Sequence, residues 1–191
     1  MKKLFTVLIL GVGLTLALGA ETPYSKLPKV PSFTLTSADV QMGRPLSKAQ
    51  MSAWMGGKDE SPQLSWSGFP AATKSFVVTM YDMDAPTGSG FWHWAVVDIP
   101  ASVTALAAGA GSSGGKALPG GAWMLPNDAR QAQFAGAAPP KGTGTHHYFI
   151  TVTALDVATL PVPKEGTPAY LGFLVSQHTL ARAYLMATAR F

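Results

Sequence analysis

Apolar and polar residues alternate along most of this chain, in short blocks set apart by glycine, proline and serine. Phe33-Thr34-Leu35-Thr36 is the first block and Ser61-Pro62-Gln63-Leu64-Ser65-Trp66 the second, each the length of a strand with one buried face. Lys74 to Tyr81 (KSFVVTMY), Phe91 to Ile99 (FWHWAVVDI) and Tyr148 to Leu155 (YFITVTAL) are denser in β-branched and aromatic residues, which predicts central strands. Residues 105–122 and 136–144 are rich in Gly, Ala, Ser and Pro and read as loops. Helical spacing arises only near the end. Thr167-Pro168 supplies an N-cap and first-turn pair, and Leu174, His178, Ala181 and Leu185 continue the helical period toward the C-terminus. Short strands followed by a terminal helix predict a mostly β, sandwich-like domain.

The first twenty residues follow a different pattern. Met1-Lys2-Lys3 is positive, Leu4 to Leu18 is almost wholly apolar, and Gly19-Ala20 precede the polar Glu21-Thr22-Pro23. This order predicts a signal peptide over 1–20 and a periplasmic or secreted protein. The alternative, a membrane anchor, requires about 20 apolar residues and the run is shorter. Residues 21–32, with three prolines, are expected to form an extended leader, and 33–191 one domain.

Charge and composition then exclude several functions. Of 14 basic residues, two lie in the predicted signal, leaving 12 against 10 acidic ones, and no Lys/Arg-rich stretch marks nucleic-acid binding. With no cysteine, stability rests on the core, and thiol nucleophiles and zinc–thiolate sites are absent. No transmembrane segment is expected once the signal is removed.

Candidate chemistry gathers at strand ends. Asp82-Met83-Asp84-Ala85-Pro86 follows the first central strand, His93 opens the second between two indoles, and His146-His147-Tyr148 leads into the third. In an extended chain Asp82 and Asp84 would share one face, and His93 would oppose Trp92 and Trp94. Taken singly, each has a structural explanation: Asx-type turns for the aspartates, a core position for His93, alternate faces for His146 and His147. Their order along the chain is more specific. Ser61-Pro62-x-Leu64-x-Trp66, Asp82-x-Asp84-Ala85-Pro86, His93-Trp94 with Val96-Val97-Asp98-Ile99-Pro100, and Pro139-Pro140-Lys141-Gly142-Thr143-Gly144-x-His146-x-Tyr148 resemble the phosphatidylethanolamine-binding protein (Raf kinase inhibitor-like) family, in its bacterial exported branch.

That resemblance implies two packed antiparallel sheets, a C-terminal helix, and a small pocket for phosphate-type headgroups. It implies Asp82, Asp84, His93 and His146 as the polar wall, with Pro86, Pro139 and Tyr148 shaping the pocket. A backbone N–H near Gly136 would face the anion, and the Asp pair could receive an ammonium. This sequence departs from the family at Phe134, Ala137-Ala138, Ala129-Arg130-Gln131 and Ala187-Thr188-Ala189. The expected function is a non-enzymatic envelope protein that binds an anionic or phospholipid headgroup, needs no cofactor or metal, and inhibits or regulates a protein partner. A second reading is a His/Asp or metal-dependent hydrolase. Against it stand the missing H-E-x-x-H signature, the lack of a G-x-S-x-G elbow between a predicted strand and a helix, and the lack of a serine beside the cluster within the recognised blocks. A third is an interaction surface built on Trp54, Trp123, Met51, Met55 and Met124.

Overall fold

The computed structural model describes residues 21–112 and 118–191, so the predicted signal peptide lies outside the described residues. Eight strands and one α-helix follow in order: β1 (Thr34–Thr36), β2 (Leu64–Ser67), β3 (Ser75–Asp82), β4 (Phe91–Pro100), β5 (Ala105–Leu106), β6 (Trp123–Met124), β7 (Thr145–Leu155), α1 (Pro168–His178) and β8 (Thr179–Arg190). They form a three-stranded sheet, β1-β2-β5, and a five-stranded sheet, β6-β4-β3-β7-β8, with antiparallel pairing throughout. The mostly β two-sheet expectation holds.

Alternation assigns each face of the larger sheet. Phe76, Val78 and Met80 of β3 and Tyr148, Ile150, Val152 and Ala154 of β7 turn toward the smaller sheet, where they meet Leu64, Trp66 and Leu106. Val77, Ala95, Val97 and Leu155 turn the other way, onto Leu171, Leu174 and Val175 of α1. Both faces of β3, β4 and β7 are therefore covered, which is why these segments read as near-continuous apolar runs. Residues 21–31 also lie on the outer face. Tyr24 packs on Phe149 and Tyr184 under the Arg182 guanidinium, and the Arg182 N–H donates to Pro31 O at 3.0 Å.

The helix prediction fails past His178. Thr167 caps α1 by accepting the Tyr170 N–H at 3.1 Å, but Ala181 and Leu185 belong to β8, paired with β7 from Leu155↔Thr179 to Thr145↔Arg190. Alanine's high helix propensity hides a period of two: Ala181, Ala183, Ala187 and Ala189 are all buried. Tertiary pairing overrides local preference, and the loop at Gly43–Leu46 covers the exposed edge, with N–H bonds from Gly43 to Met186 O and from Leu46 to Thr188 O.

Candidate functional site

Because β3, β4 and β7 are antiparallel neighbours, the end of β3 and the starts of β4 and β7 lie at one rim of the larger sheet. Asp82, the last residue of β3, stands opposite Tyr148. His146, two residues before Tyr148, shares its face. The His146 Nδ1–H donates to Asp82 Oδ2 at 2.7 Å, with the histidine side chain fully buried and the carboxylate 4% exposed. The other Asp82 oxygen accepts the Asp84 N–H at 2.9 Å.

Asp84 does not join this pair. The chain bends after Asp82, and Asp84 Oδ2 accepts the N–H and faces the Nδ1 of His147, both at 2.7 Å, on the partly exposed rim. The shared face expected of an extended Asp-x-Asp is thus lost at the bend, and each carboxylate takes its own histidine. Like charges placed together would raise the cost of the site, and the bend separates them.

A β-bulge places His93. The β3–β4 register passes from Met80↔Trp94 to Tyr81↔Trp92, leaving His93 unpaired. A bulged residue escapes strict alternation. So His93 and Trp94 both turn inward, Trp94 into the core and His93 against Tyr148 with ring centroids 5.3 Å apart. The expected opposition of His93 to Trp94 is corrected by this one extra residue. The His93 Nδ1–H donates to Ala135 O at 3.0 Å, which leaves Nε2 as the free ring nitrogen. Burial pushes the His93 pKa below its ordinary value, against the raising effect of the Ala135 bond. The resting ring is neutral at pH 7, and Nε2 presents a lone pair.

His146 has a third member on its other side. Its Nε2 lies 2.7 Å from Thr143 Oγ1, which lies 2.7 Å from Pro140 O. In the neutral ring the Thr143 hydroxyl donates to Nε2. In the imidazolium the Nε2–H donates to Thr143, whose hydroxyl turns to the Pro140 carbonyl. The hydroxyl on the His146 ring is thus a threonine's, while Ser52 reaches the same cavity from another loop. Thr143 stands three residues before His146, and the tight turn at Pro140–Thr143 brings it onto the ring.

A cavity of about 420 Å³ opens over these groups. Asp82, Pro86, His93, Gly136 and His146 line it, with Ser52, Asp59, Thr87, Phe91, Gln131, Gln133, Ala138 and Pro140. Of the other expected residues, Asp84 sits on the rim, Pro139 is buried outside the lining, and Tyr148 forms the layer beneath the two histidines. The Tyr148 hydroxyl is buried without a partner among the described residues. Burial and then the Asp82 charge push its pKa up, so the phenol stays protonated. The Gly136 N–H is not free: it donates to Asp59 Oδ1 at 2.7 Å. Asp59, 77 residues away, carries no sequence signal beyond a polar turn. Among the described residues, no three His, Asp or Glu side chains converge on a point that could hold a metal ion, because Asp84 and His147 pair apart from the cavity. Of the surface candidates, Trp54 is 80% exposed whereas Met124 is core.

Residues 36–190 match the model of the phosphatidylethanolamine-binding protein family. The chain belongs to this family. YbcL of Escherichia coli K12 is 45% identical over 154 residues, covering 80% of this chain and 84% of YbcL. YbhB of the same organism is 46% identical over 155 residues, covering 80% and 97%. The crystal structure of YbcL superposes with a TM-score of 0.80 at 42% identity, over 84% of this chain and 99% of that one. The site residues thus sit at the strand ends of a phosphatidylethanolamine-binding protein fold.

Gly136 is a close-approach position in this fold. A Cβ there would lie 2.4 Å from Met51 C and Ser52 N. Gly136→Ala is expected to part the loop from residues 51–52, lowering stability by about 1–3 kcal/mol through overpacking. Thermal melting checks this against Gly120→Ala, where a Cβ meets nothing within 4 Å and the melt should not move.

Proposed function

We propose that this protein binds a small phosphate-bearing headgroup of the phosphoethanolamine type in its strand-end cavity, without turnover. We further propose that it does so in the cell envelope, where it inhibits or regulates a protein partner. The observation that carries this reading is His93, a buried imidazole whose Nδ1 is tied to Ala135 and whose free nitrogen is available at the cavity wall. A neutral Nε2 accepts from a monoprotonated phosphate, and an imidazolium donates to a dianion. Either way the complex holds one proton between ring and phosphate. The signal-like first twenty residues support the envelope setting, and among the described residues no helix is long and apolar enough to cross a membrane. Calorimetric titration with phosphoethanolamine tests the reading: one weak site per chain is expected, and no heat of binding would overturn it.

One observation favours a second reading. Thr143, His146 and Asp82 are joined by two contacts of 2.7 Å in the hydroxyl–imidazole–carboxylate order of acyl-transfer enzymes. Against it, Thr143 Oγ1 lies equally close to Pro140 O and is outside the cavity lining. The binding reading expects no labelling by a fluorophosphonate and no p-nitrophenyl ester hydrolysis above background. Labelling that disappears in Thr143→Ala would establish the hydrolase instead.

A further inference from the structure

Asp59 enters the cavity wall from a segment that the strand-end motifs do not include. Its backbone lies in the left-handed region, with φ of 49°, a conformation that Asp and Asn adopt more readily than other non-glycine residues. Both of its backbone groups are fixed: the N–H donates to Met51 O at 3.0 Å, and the carbonyl accepts the Ser112 hydroxyl at 2.8 Å. So held, it aims its carboxylate at two loops. Oδ1 accepts the Gly136 N–H at 2.7 Å, and Oδ2 accepts the Ala53 N–H at 2.9 Å.

Two effects on ligand choice follow. First, the Gly136 donor is spent inside the protein, so an incoming anion finds one backbone N–H fewer in the loop that faces it. Second, the lining holds two carboxylates, Asp59 and Asp82, and no Lys or Arg. Among the described residues, the lining side chains that can take a positive charge are His93, which burial biases toward the neutral form, and His146, whose Nδ1 already serves Asp82. A bare dianion therefore enters a wall of its own sign. In a partly desolvated cavity, such proximity costs several-fold to many-fold in affinity.

We propose that Asp59 is a selectivity residue, whose carboxylate turns the cavity away from free inorganic dianions and toward phosphate esters that carry their own cation. An ammonium on the ligand answers the Asp59 charge, while the phosphate remains with His93. The inference rests on the headgroup reading above and adds the charge class that the site admits.

The test is calorimetric titration of the protein and of Asp59→Asn, each with inorganic phosphate and with phosphoethanolamine at pH 7. The unchanged protein should prefer phosphoethanolamine. In Asp59→Asn, affinity for inorganic phosphate should rise at least about tenfold, and the preference should shrink. If both proteins bind both ligands in the same ratio, the assignment to Asp59 is overturned while the headgroup reading stands. If neither ligand binds either protein, the headgroup reading fails and the inference falls with it. In Asp59→Asn both N–H donors lose a charged acceptor and one of them faces the amide NH2, so Asp59→Glu is the second variant. It keeps the charge and should keep the preference. Loss of the preference in Asp59→Glu at an unchanged melting temperature would overturn charge as the cause.

Discussion

Replacing His146 with alanine is expected to cost the domain about 3–5 kcal/mol, the usual penalty for removing one partner of a buried ionisable pair. Asp82 would keep only the Asp84 N–H, and its buried carboxylate would have lost its strongest partner. The space vacated lies against Tyr148, itself fully buried, so the surroundings have little freedom to collapse. For a domain of this size the loss should lower the melting temperature by about 10 °C. His147→Ala is the control. Its pair with Asp84 is substantially exposed, 41% and 34%, and should contribute about 0–1 kcal/mol. Equal losses in the two variants would show that the buried pair is not a structural support of the site.

The second large effect concerns His93 and pH. Because burial holds its folded pKa below the unfolded value, the neutral ring contributes stability above about pH 6.5. That contribution is lost as pH falls from about 6.5 toward the folded pKa, where the buried ring must charge. Ligand binding runs the other way. The complex holds a proton between Nε2 and the phosphate, so affinity should rise as pH falls from 8, by at most about tenfold per unit. The rise ends where the free phosphate ester itself takes up a proton, near pH 6. His93→Ala should reduce affinity about 10–100-fold, the worth of a hydrogen bond to a charged group, and flatten this pH dependence. Titrations at three pH values with both proteins read both effects. An unchanged affinity in His93→Ala would place the ligand elsewhere.

Most of the sheet was legible because burial on both faces writes itself into β3, β4 and β7 as dense β-branched and aromatic runs. Thr167-Pro168 marked the start of α1 for an equally local reason, since a cap is built from adjacent residues. β8 was not legible. Its inward positions are alanines, which favour helix in isolation and become strand only because β7 offers a full-length partner. Candidate site residues were readable to the extent that they sat on strand ends. Asp82, His93 and His146 meet because three neighbouring strands end together. What the sequence could not show was geometry set by single irregularities. The bend after Asp82 sends Asp84 to His147, and one bulge turns His93 onto the face of Trp94. A turn lays Thr143 on the His146 ring, and a left-handed Asp59 closes the Gly136 N–H from a distant loop.

In the proposed complex His93 shares a proton with the bound phosphate headgroup. The most direct measurement follows the His93 imidazole by NMR through a pH titration, with and without saturating phosphoethanolamine. His93 is expected to titrate below ordinary histidine in the free protein and at higher pH in the complex. A His93 titration that is identical with and without the ligand would contradict it.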